Sequence, residues 1–392
     1  MYCEPTGGTM SKKSVLVLGG GVGGIVVSSL LKDKLKDDVT LRLVERKKTF
    51  DFPPSYPWLM LGLRRPNQVQ KDLNLLRKKK RVDILNDEVI SIDIEGKSVL
   101  TKNDGKLQFD YLVIALGTEY SPNMIPGFME YAHHVYDLES AVKFKEAVEE
   151  FQGGTIAVGI SRTPFKCPAA PYEVALLLED HYRKKGIRDN VKFEFFTPES
   201  IPVPAVGPDT GNKVLELLKS RGMNYHPKVK LRDVKSNEVC FESGETMSYD
   251  MLFCVPPHAA PKPVVEAGLT DETGWISVNP KTLETRHVGI YAIGDVASVQ
   301  TPHGYTPYLP KAGVFAHGQA EVVANNLAAE ITRKGKLTEW NGHGACFLEV
   351  GEGQSAYLKG DFLDEPKPKI EFHMPGRVWH HVRSTPSTCL FV

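Results

Sequence analysis

One stretch near the N-terminus, SVLVLGGGVGGIVVSSLL, constrains the fold more than any other part of the sequence. Residues 14–18 are apolar enough for a buried parallel strand, and Gly19, Gly21 and Gly24 fit the pattern G-x-G-x-x-G. Such glycines allow a tight turn, let the backbone approach a pyrophosphate, and let the following helix pack closely on the strand. A second strand, VTLRLVE, ends at Glu45, where a carboxylate can bind a ribose hydroxyl. The spacing therefore predicts a βαβ unit that binds a dinucleotide at the N-terminus of its helix.

Two later strand-like runs indicate which dinucleotide is bound. The run YLVIALG ends in a small-residue turn at Gly117, and the run GIYAIGD ends at Gly294 and Asp295. With the first glycine turn, these runs resemble the two-dinucleotide-binding-domain flavoproteins, which include disulfide reductases and type II NADH dehydrogenases. The resemblance covers residue 13 to about residue 357. It implies FAD as the cofactor, with Asp295 in contact with the ribityl chain.

The fold class that this resemblance implies is α/β, with two Rossmann-like dinucleotide-binding domains and a short C-terminal segment. We expect the FAD-binding domain in two parts, residues 12–120 and residues 262–335. Residues 121–261 between them are predicted to form an inserted NAD-type domain, in which KFEFF reads as a strand and DTGNKVLELLKSRG as a crossover helix. Residues 336–392 form the C-terminal segment.

The inserted domain has lost most of its own glycine fingerprint. Its first strand-like run, TIAV, leads into a turn at residues 159–164 that reads GISRTP and retains only the first glycine. Side chains at positions 161 and 164 obstruct the close approach of a pyrophosphate. We therefore expect no ordinary nicotinamide site, and an NADH site of unusual design stays an alternative.

A cysteine follows this turn, in the stretch FKCPAAPYE. Cys167 lies shortly before a predicted helix and next to Lys166, and both neighbours favour the thiolate, which is the nucleophilic form. The alternative is a buried apolar cysteine, the commonest state of cytosolic cysteines. Glu173, in the first turn of the helix, is a candidate proton carrier, or else a glutamate that simply favours the helix dipole.

Four stretches together look like the sulfide:quinone oxidoreductases and the flavoprotein subunit of flavocytochrome c sulfide dehydrogenase: KCPAAPYE, CVPPHAAP, YLPKAG and ACFLEVG. The resemblance implies that Cys167 and Cys346 form a redox pair beside the flavin. It also implies that sulfide attacks their disulfide or polysulfide bridge and leaves as polysulfide or sulfur, while two electrons pass through FAD to a quinone. Which of the two cysteines faces the flavin stays open.

The sequence departs from that family at the positions that attach flavin covalently. Many sulfide:quinone oxidoreductases carry a third cysteine just before the helix that begins here near Asp137, and Tyr136 stands close to that place. The second flavin-linking position of the cytochrome-linked relatives falls around residues 49–52, again without cysteine. We therefore predict that FAD is bound non-covalently.

Two further features are candidates for contacts with the flavin and its electron acceptor. Lys311 is predicted to open the helix after Asp295, where it would stabilise charge on reduced flavin or bind a quinone carbonyl. A solvated lysine is the alternative. The loop TFDFPPSYPWLML carries aromatic side chains that suit a quinone ring, with ordinary packing over the flavin domain as the alternative.

Composition excludes several classes of partner. The 48 basic and 48 acidic residues balance, so we expect no nucleic-acid partner. The six cysteines have no metal-ligand spacing, and we expect no metal site. The sequence has no secretory signal and no run of about 18 apolar residues, so we expect a cytoplasmic protein that contacts the inner face of the cell membrane only peripherally. We also expect a homo-oligomer.

Three other functions stay open at this stage. The chain could be the flavin subunit of a complex that passes electrons to a cytochrome, or an NADH:quinone oxidoreductase with an altered nucleotide site. It could also be a non-catalytic FAD protein that acts as a thiol sensor. The cysteine pair separates sulfide chemistry from NADH chemistry, because hydride transfer from NADH needs no cysteines at these positions.

Overall fold

The computed structural model describes residues 12–384, and its first part contains the predicted βαβ unit. This part forms the following elements in chain order: β1 (Lys13–Leu18), α1 (Val22–Leu35), β2 (Val39–Val44), β3 (Thr49–Asp51), α2 (Tyr56–Met60), β4 (Gln70–Asp72), α3 (Asn74–Lys80), β5 (Asp83–Leu85), β6 (Val89–Asp93), β7 (Ser98–Thr101), β8 (Gly105–Gln108) and β9 (Tyr111–Ile114). Strands β1 and β9 read as almost continuous apolar runs because they are buried on both faces.

A second group of elements occupies the middle of the chain. These are β10 (Glu119–Tyr120), α4 (Phe128–Tyr131), α5 (Leu138–Glu150), β11 (Gly154–Ile160), α6 (Ala170–Lys184), β12 (Val191–Phe196), α7 (Pro208–Ser220), β13 (Met223–His226), β14 (Leu231–Lys235), β15 (Glu238–Phe241), β16 (Thr246–Ser248), β17 (Met251–Val255) and β18 (His258–Ala259). The predicted strand KFEFF lies in β12, and the predicted crossover helix is α7.

The last part of the described chain returns to the first sheet and then adds a separate one. Its elements are α8 (Lys262–Glu266), β19 (Ile276–Ser277), β20 (Ile290–Ala292), β21 (Ala297–Ser298), α9 (Gly313–Thr332), β22 (His343–Gly351), β23 (Gln354–Asp361), β24 (Lys369–Gly376) and α10 (Arg377–Ser384). Helix α9 begins two residues after Lys311, so this lysine precedes the helix that it was predicted to open.

Two parallel sheets confirm the predicted α/β fold class. The first has the strand order β20-β9-β1-β2-β5, in which β20 comes from the late part of the chain and pairs with β9. The second has the order β13-β12-β11-β17 and is built wholly from the middle of the chain. In open parallel sheets, ligands bind outside the carboxyl ends of the strands. The glycine turn after β1 and the cysteine loop after β11 both lie at such ends.

The C-terminal segment forms an antiparallel sheet, β22-β23-β24, followed directly by α10. Strand β22 packs on α6, the helix that follows Cys167. This contact brings the two cysteine-bearing elements together across a long stretch of sequence. The exact residue bounds of the predicted domains stay a prediction. Within residues 12–384, no helix combines the length and the apolarity needed to cross a bilayer.

Candidate active site

A cavity of about 1830 Å³ lies where these elements meet. Pockets for drug-sized ligands usually measure about 300–1,000 Å³, so this cavity has room for a dinucleotide and a further substrate. Its wall includes the glycine turn after β1, the turn after β20, and the cysteine loop before α6. The predicted cofactor residues and the predicted cysteine pair therefore line one continuous space.

The glycine turn is shaped for a phosphate group. A Cβ atom at Gly24 would overlap the carbonyl oxygen of Gly19, so this position lets the helix pack against the turn. A Cβ at Gly21 would meet no atom within 4 Å, which leaves open space at the N-terminus of α1. The carboxylate of Glu45 accepts hydrogen bonds from the Gly20 N–H at 2.5 Å and from the Lys47 N–H at 2.8 Å. The turn, the helix N-terminus and the acid thus have the arrangement that a dinucleotide requires.

Asp295 has the surroundings of a ligand-binding carboxylate. Burial raises the pKa of its carboxyl, and the positive charges of Lys166 and Lys311 oppose that rise. Its Oδ1 atom is buried and has no hydrogen-bond partner among the described residues. A buried acceptor without a partner costs about 1–3 kcal/mol, and a hydroxyl group of a bound cofactor would remove this cost. Gly117 and Gly294, with φ of 69° and 74°, form the adjacent cavity wall.

Lys311 lies beneath this turn instead of lining the large cavity. Its ammonium donates to the backbone oxygens of Asp295 at 2.6 Å and Ala297 at 3.3 Å. The nitrogen also lies 3.5 Å from the centre of the Trp275 ring, and burial lowers the pKa of the ammonium to about 7. Lys311 therefore holds the Asp295 turn in shape, and its predicted contact with flavin or quinone stays a prediction. Lys166, by contrast, lines the cavity.

The backbone around Cys167 is held in an uncommon conformation. Its φ of 55° lies in the left-handed region, which costs a residue other than glycine about 1–3 kcal/mol. Two hydrogen bonds fix this conformation: the Cys167 N–H donates to Lys311 O at 2.7 Å, and the Ala170 N–H donates to Cys167 O at 2.9 Å. The turn directs the residue into the cavity wall, three residues before α6 begins. Backbone strain of this kind is concentrated at functional sites.

Cys167 and Cys346 are both free thiols and both line the cavity. Burial raises the pKa of the Cys346 thiol to about 11, and it raises the pKa of Cys167 well above its usual value. The expectation that the helix start and Lys166 make Cys167 a thiolate is therefore wrong for this state of the protein. Desolvation is the largest effect on both thiols, and the negative charge of Glu173 adds to it. For Cys167 these effects, with that of Cys346, outweigh the attraction of Arg383 and Lys166.

Glu173 is buried and is paired with a residue that the sequence does not indicate. Its Oε1 atom lies 2.5 Å from Arg383 Nη2, and Arg383 comes from α10, 210 positions further along the chain. Burial raises the pKa of the Glu173 carboxyl to about 7, although the charge of Arg383 lowers it. A carboxyl with such a pKa can take up and release protons near neutral pH, as the predicted proton carrier must.

A second carboxylate completes the group. Glu349, three residues after Cys346 in β22, accepts hydrogen bonds from the Ser355 hydroxyl at 2.5 Å and from His380 Nδ1 at 2.9 Å. Its Oε1 atom lies 3.8 Å from Arg383 Nη1. No local pattern in the sequence marks Glu349, His380 or Arg383 as site residues. They meet only because α10 turns back over β22 and β23.

The aromatic loop after β2 lines the cavity as well as packing into the core. Phe50, Tyr56 and Trp58 are buried, whereas Phe52 is half-buried, and all four belong to the cavity wall. The guanidinium of Arg383 lies 4.8 Å from the centre of the Trp58 ring. The same aromatic residues therefore pack into the core and line the cavity, and the binding of a quinone ring by this loop stays a prediction.

The residues at the end of β11, where the degenerate fingerprint lies, make packing and hydrogen-bond contacts within the protein. A Cβ at Gly159 would overlap the ring of Phe196, so this glycine serves packing within the sheet. The side-chain hydroxyl of Ser161 is buried and donates to Val255 O at 2.5 Å. Neither residue belongs to the cavity wall. The loss of nicotinamide binding at this fingerprint stays a prediction.

Comparison with known proteins extends these observations. Residues 13–320 match the family described as Pyridine nucleotide-disulphide oxidoreductase. The sequence is 26% identical over 391 residues to the sulfide-quinone reductase of Aquifex aeolicus (strain VF5), an alignment that covers 95% of this chain and 89% of that protein. It is 24% identical over 378 residues to the mitochondrial sulfide:quinone oxidoreductase of Mus musculus, covering 91% and 80% of the two chains.

A solved structure shows the same architecture. The X-ray structure of the sulfide:quinone oxidoreductase from the hyperthermophilic bacterium Aquifex aeolicus superposes with a TM-score of 0.86 and 24% sequence identity. The superposition covers 95% of this chain and 89% of that one. The two chains therefore share their fold over nearly their whole length.

Proposed function

The chain belongs to the pyridine nucleotide-disulphide oxidoreductase family, and from that premise we propose that it oxidises sulfide and passes the electrons to a quinone. The protein is an oxidoreductase, and its cofactor is FAD. The glycine turn, Glu45 and Asp295 would hold this cofactor in the large cavity. Bound FAD supplies a centre that accepts two electrons from sulfur and delivers them to a second substrate.

One observation carries the proposal: Cys167 and Cys346 line the same cavity as the cofactor residues. The two cysteines come from loops and strands that are far apart in sequence, and the packing of β22 on α6 brings those elements together. A hydride donor such as NADH needs no such pair. The curated relatives named for sulfide and quinone give further support, because they align over most of this chain.

We propose the following division of chemistry among the chain's own residues. Hydrosulfide attacks one sulfur of the oxidised Cys167–Cys346 pair, so one S–S bond forms and the bridging S–S bond breaks. The products are a persulfide on one cysteine and a thiolate on the other, and the number of electrons on sulfur is unchanged in this step. Oxidation of one hydrosulfide ion to sulfane sulfur then yields two electrons and one proton. Glu173, buried beside both thiols, accepts this proton.

Cysteine variants test the proposal against matched controls. We expect C167S and C346S each to lower sulfide-dependent quinone reduction by at least about a thousandfold, since each removes one half of the redox pair. C240S is the control, because Cys240 is buried in β15 and does not line the cavity. FAD content, read from the visible absorbance, confirms that each variant is folded. Undiminished quinone reduction in both C167S and C346S would contradict the proposal.

We further propose that the protein works in the cytoplasm and contacts the inner face of the cell membrane, where quinones are dissolved. Met374 and Val378, at the end of β24 and the start of α10, expose 61% and 69% of their surface and support such a contact. Sedimentation with anionic lipid vesicles tests it, and we expect M374S/V378S to bind fewer vesicles than the unaltered protein. The homo-oligomer stays a prediction, which light scattering can test.

A further inference from the structure

The two cysteines of the site are each followed closely in sequence by a buried acid. Glu173 lies six residues after Cys167, in α6, and Glu349 lies three residues after Cys346, in β22. Both carboxylates are almost fully buried, with 3% and 1% of their surface exposed. A single guanidinium, that of Arg383, contacts both of them. Arg383 therefore connects the two cysteine-bearing elements.

The charges in this group do not balance once a sulfur anion forms. Two carboxylates face one guanidinium and the imidazole of His380, so the group carries one excess negative charge when both acids are ionised and the imidazole is neutral. A thiolate at either cysteine would add a second negative charge in a buried place, which is costly without a counter-ion. The cost disappears when one acid takes up the proton that the sulfur loses.

Hydrogen bonding indicates which acid takes the proton. Ser355 and His380 donate to Glu349, and Arg383 Nη1 lies 3.8 Å from its Oε1, so two side-chain donors already hydrogen-bond this carboxylate. A proton on Glu349 would displace one of these donors. Glu173 shares its Oε1 with Arg383 and lies beside both thiols. Protonation of Glu173 removes one of the two negative charges beside the guanidinium, whose positive charge can then balance a sulfur anion.

We propose that Arg383 is a positioning residue that exchanges partners between the Glu173 carboxylate and a sulfur anion of the cysteine pair. In this step the S–H bond of a cysteine breaks, an O–H bond forms on Glu173, and no electrons are transferred. The total charge of the group stays constant, because one anion replaces another beside the same guanidinium. The C-terminal helix α10 thus contributes to sulfur chemistry at the cysteines, an inference that rests on the function proposed above.

Other charged groups face the same atoms and set the background for this exchange. Lys166 lies near Cys167, where its positive charge favours the thiolate, and Tyr136 also interacts electrostatically with Cys167. Cys346 faces Glu173 and Arg383, and its thiol contacts Phe347 O at 3.4 Å. Neither Lys166 nor Tyr136 changes when Arg383 or Glu173 is replaced, so variants at the latter two positions isolate the exchange.

Thiol alkylation measures the exchange without any turnover of sulfide. Reduced, FAD-loaded protein is treated with iodoacetamide between about pH 6 and about pH 10, and peptide mass spectrometry follows Cys167 and Cys346 separately. We expect R383Q to slow alkylation at neutral pH by about tenfold, equivalent to a rise of about one unit in thiol pKa. We expect E173Q to accelerate it by a similar factor, because Arg383 is then available to the thiolate.

The opposite changes in alkylation rate expected for R383Q and E173Q distinguish this role from a purely structural one. Loss of packing would change the exposure of both thiols in the same direction in R383Q and E173Q. The double variant R383Q/E173Q should return towards the alkylation rate of the unaltered protein. It also lacks the buried Glu173 charge, so it can still be measured if R383Q alone is unstable. R377Q is the matched control, since Arg377 lies on the same helix but is exposed, and it should change nothing.

Two results would overturn the proposal. One is an unchanged pH profile in R383Q with full FAD content. The other is a change of the same sign in R383Q and E173Q. Neither result depends on sulfide or quinone, so either one leaves the proposed function standing. Undiminished quinone reduction in C167S and C346S would instead contradict the proposed function without changing the alkylation result.

Discussion

Alanine at Gly21 and alanine at Gly24 should separate cofactor binding from folding. At Gly24 a Cβ would overlap the backbone oxygen of Gly19, which cannot step aside as a flexible side chain could. At Gly21 a Cβ meets no atom within 4 Å, and φ of −77° with ψ of −167° is a conformation that alanine adopts readily. We therefore expect G24A to destabilise the apoprotein by about 1–3 kcal/mol, the usual cost of overpacking. G21A should change this stability by less than about 0.5 kcal/mol.

The effect of G21A should appear only when FAD binds. The methyl group would occupy cavity space at the N-terminus of α1, where a pyrophosphate has to approach the backbone. An overlap of this kind costs about 1.5–3 kcal/mol, which weakens binding by a factor of about ten to a hundred.

Two assays on the apoprotein measure these quantities. Quenching of flavin fluorescence gives the FAD affinity, and urea unfolding gives the free energy of unfolding. G304A is the control, because Gly304 is exposed, has equally open space and lies outside the cavity wall. Unaltered FAD affinity in G21A would refute the placement of the pyrophosphate at this turn.

Two further predictions concern Glu173 and the aromatic loop. Because burial raises the pKa of Glu173 to about 7 in the folded protein, the folded state loses stability as pH rises from about 4.5 to about 7, by about 3 kcal/mol at about 1.4 kcal/mol per unit. E173Q should lack this loss. Measured by urea unfolding, the free energy of unfolding of E173Q should therefore rise relative to that of the unaltered protein between these pH values. A constant difference in this free energy over that pH range would contradict the prediction. F52A removes a half-buried ring from the cavity wall and should raise the KM for a quinone by about tenfold. Sulfide-dependent flavin reduction in F52A should stay within about twofold, and an equal loss in both assays would assign Phe52 to packing alone.

The sequence predicted those parts of the site that depend on local backbone geometry. Gly19, Gly21 and Gly24 mark a turn whose shape is decided by neighbouring residues, and the structure places this turn and Asp295 in one cavity. The two apolar runs that end in small-residue turns also form strands, β9 and β20, and the structure pairs them with each other. Periodicity and turn chemistry are local signals, so they survive in a single sequence.

The ionisation of the cysteines could not be predicted in the same way. Lys166 and a helix start are visible next to Cys167, and they favour a thiolate. Burial by distant segments is not visible, and in the structure it is the larger effect on the pKa of the thiol. The predicted direction of the shift in the pKa of Cys167 was therefore wrong, although the residue does line the cavity.

The ion-pair group shows the same limit more sharply. Arg383 reaches Glu173 across 210 positions of sequence, through a helix that contains no recognisable motif. The sequence places Lys311 near the flavin site, where it was predicted to stabilise reduced flavin or bind a quinone carbonyl, but it does not indicate that the ammonium donates to the carbonyl oxygens of Asp295 and Ala297. Side-chain direction depends on tertiary packing, which spacing along the chain does not determine.

The most direct test of the central claim is the absorbance of oxidised flavin in anaerobic protein mixed with sulfide and, separately, with NADH. Sulfide chemistry at Cys167 and Cys346 predicts rapid bleaching by sulfide and none by NADH, because the turn after β11 retains only the first glycine of the nucleotide fingerprint. Bleaching by NADH alone would contradict the account and place the protein among the NADH dehydrogenases.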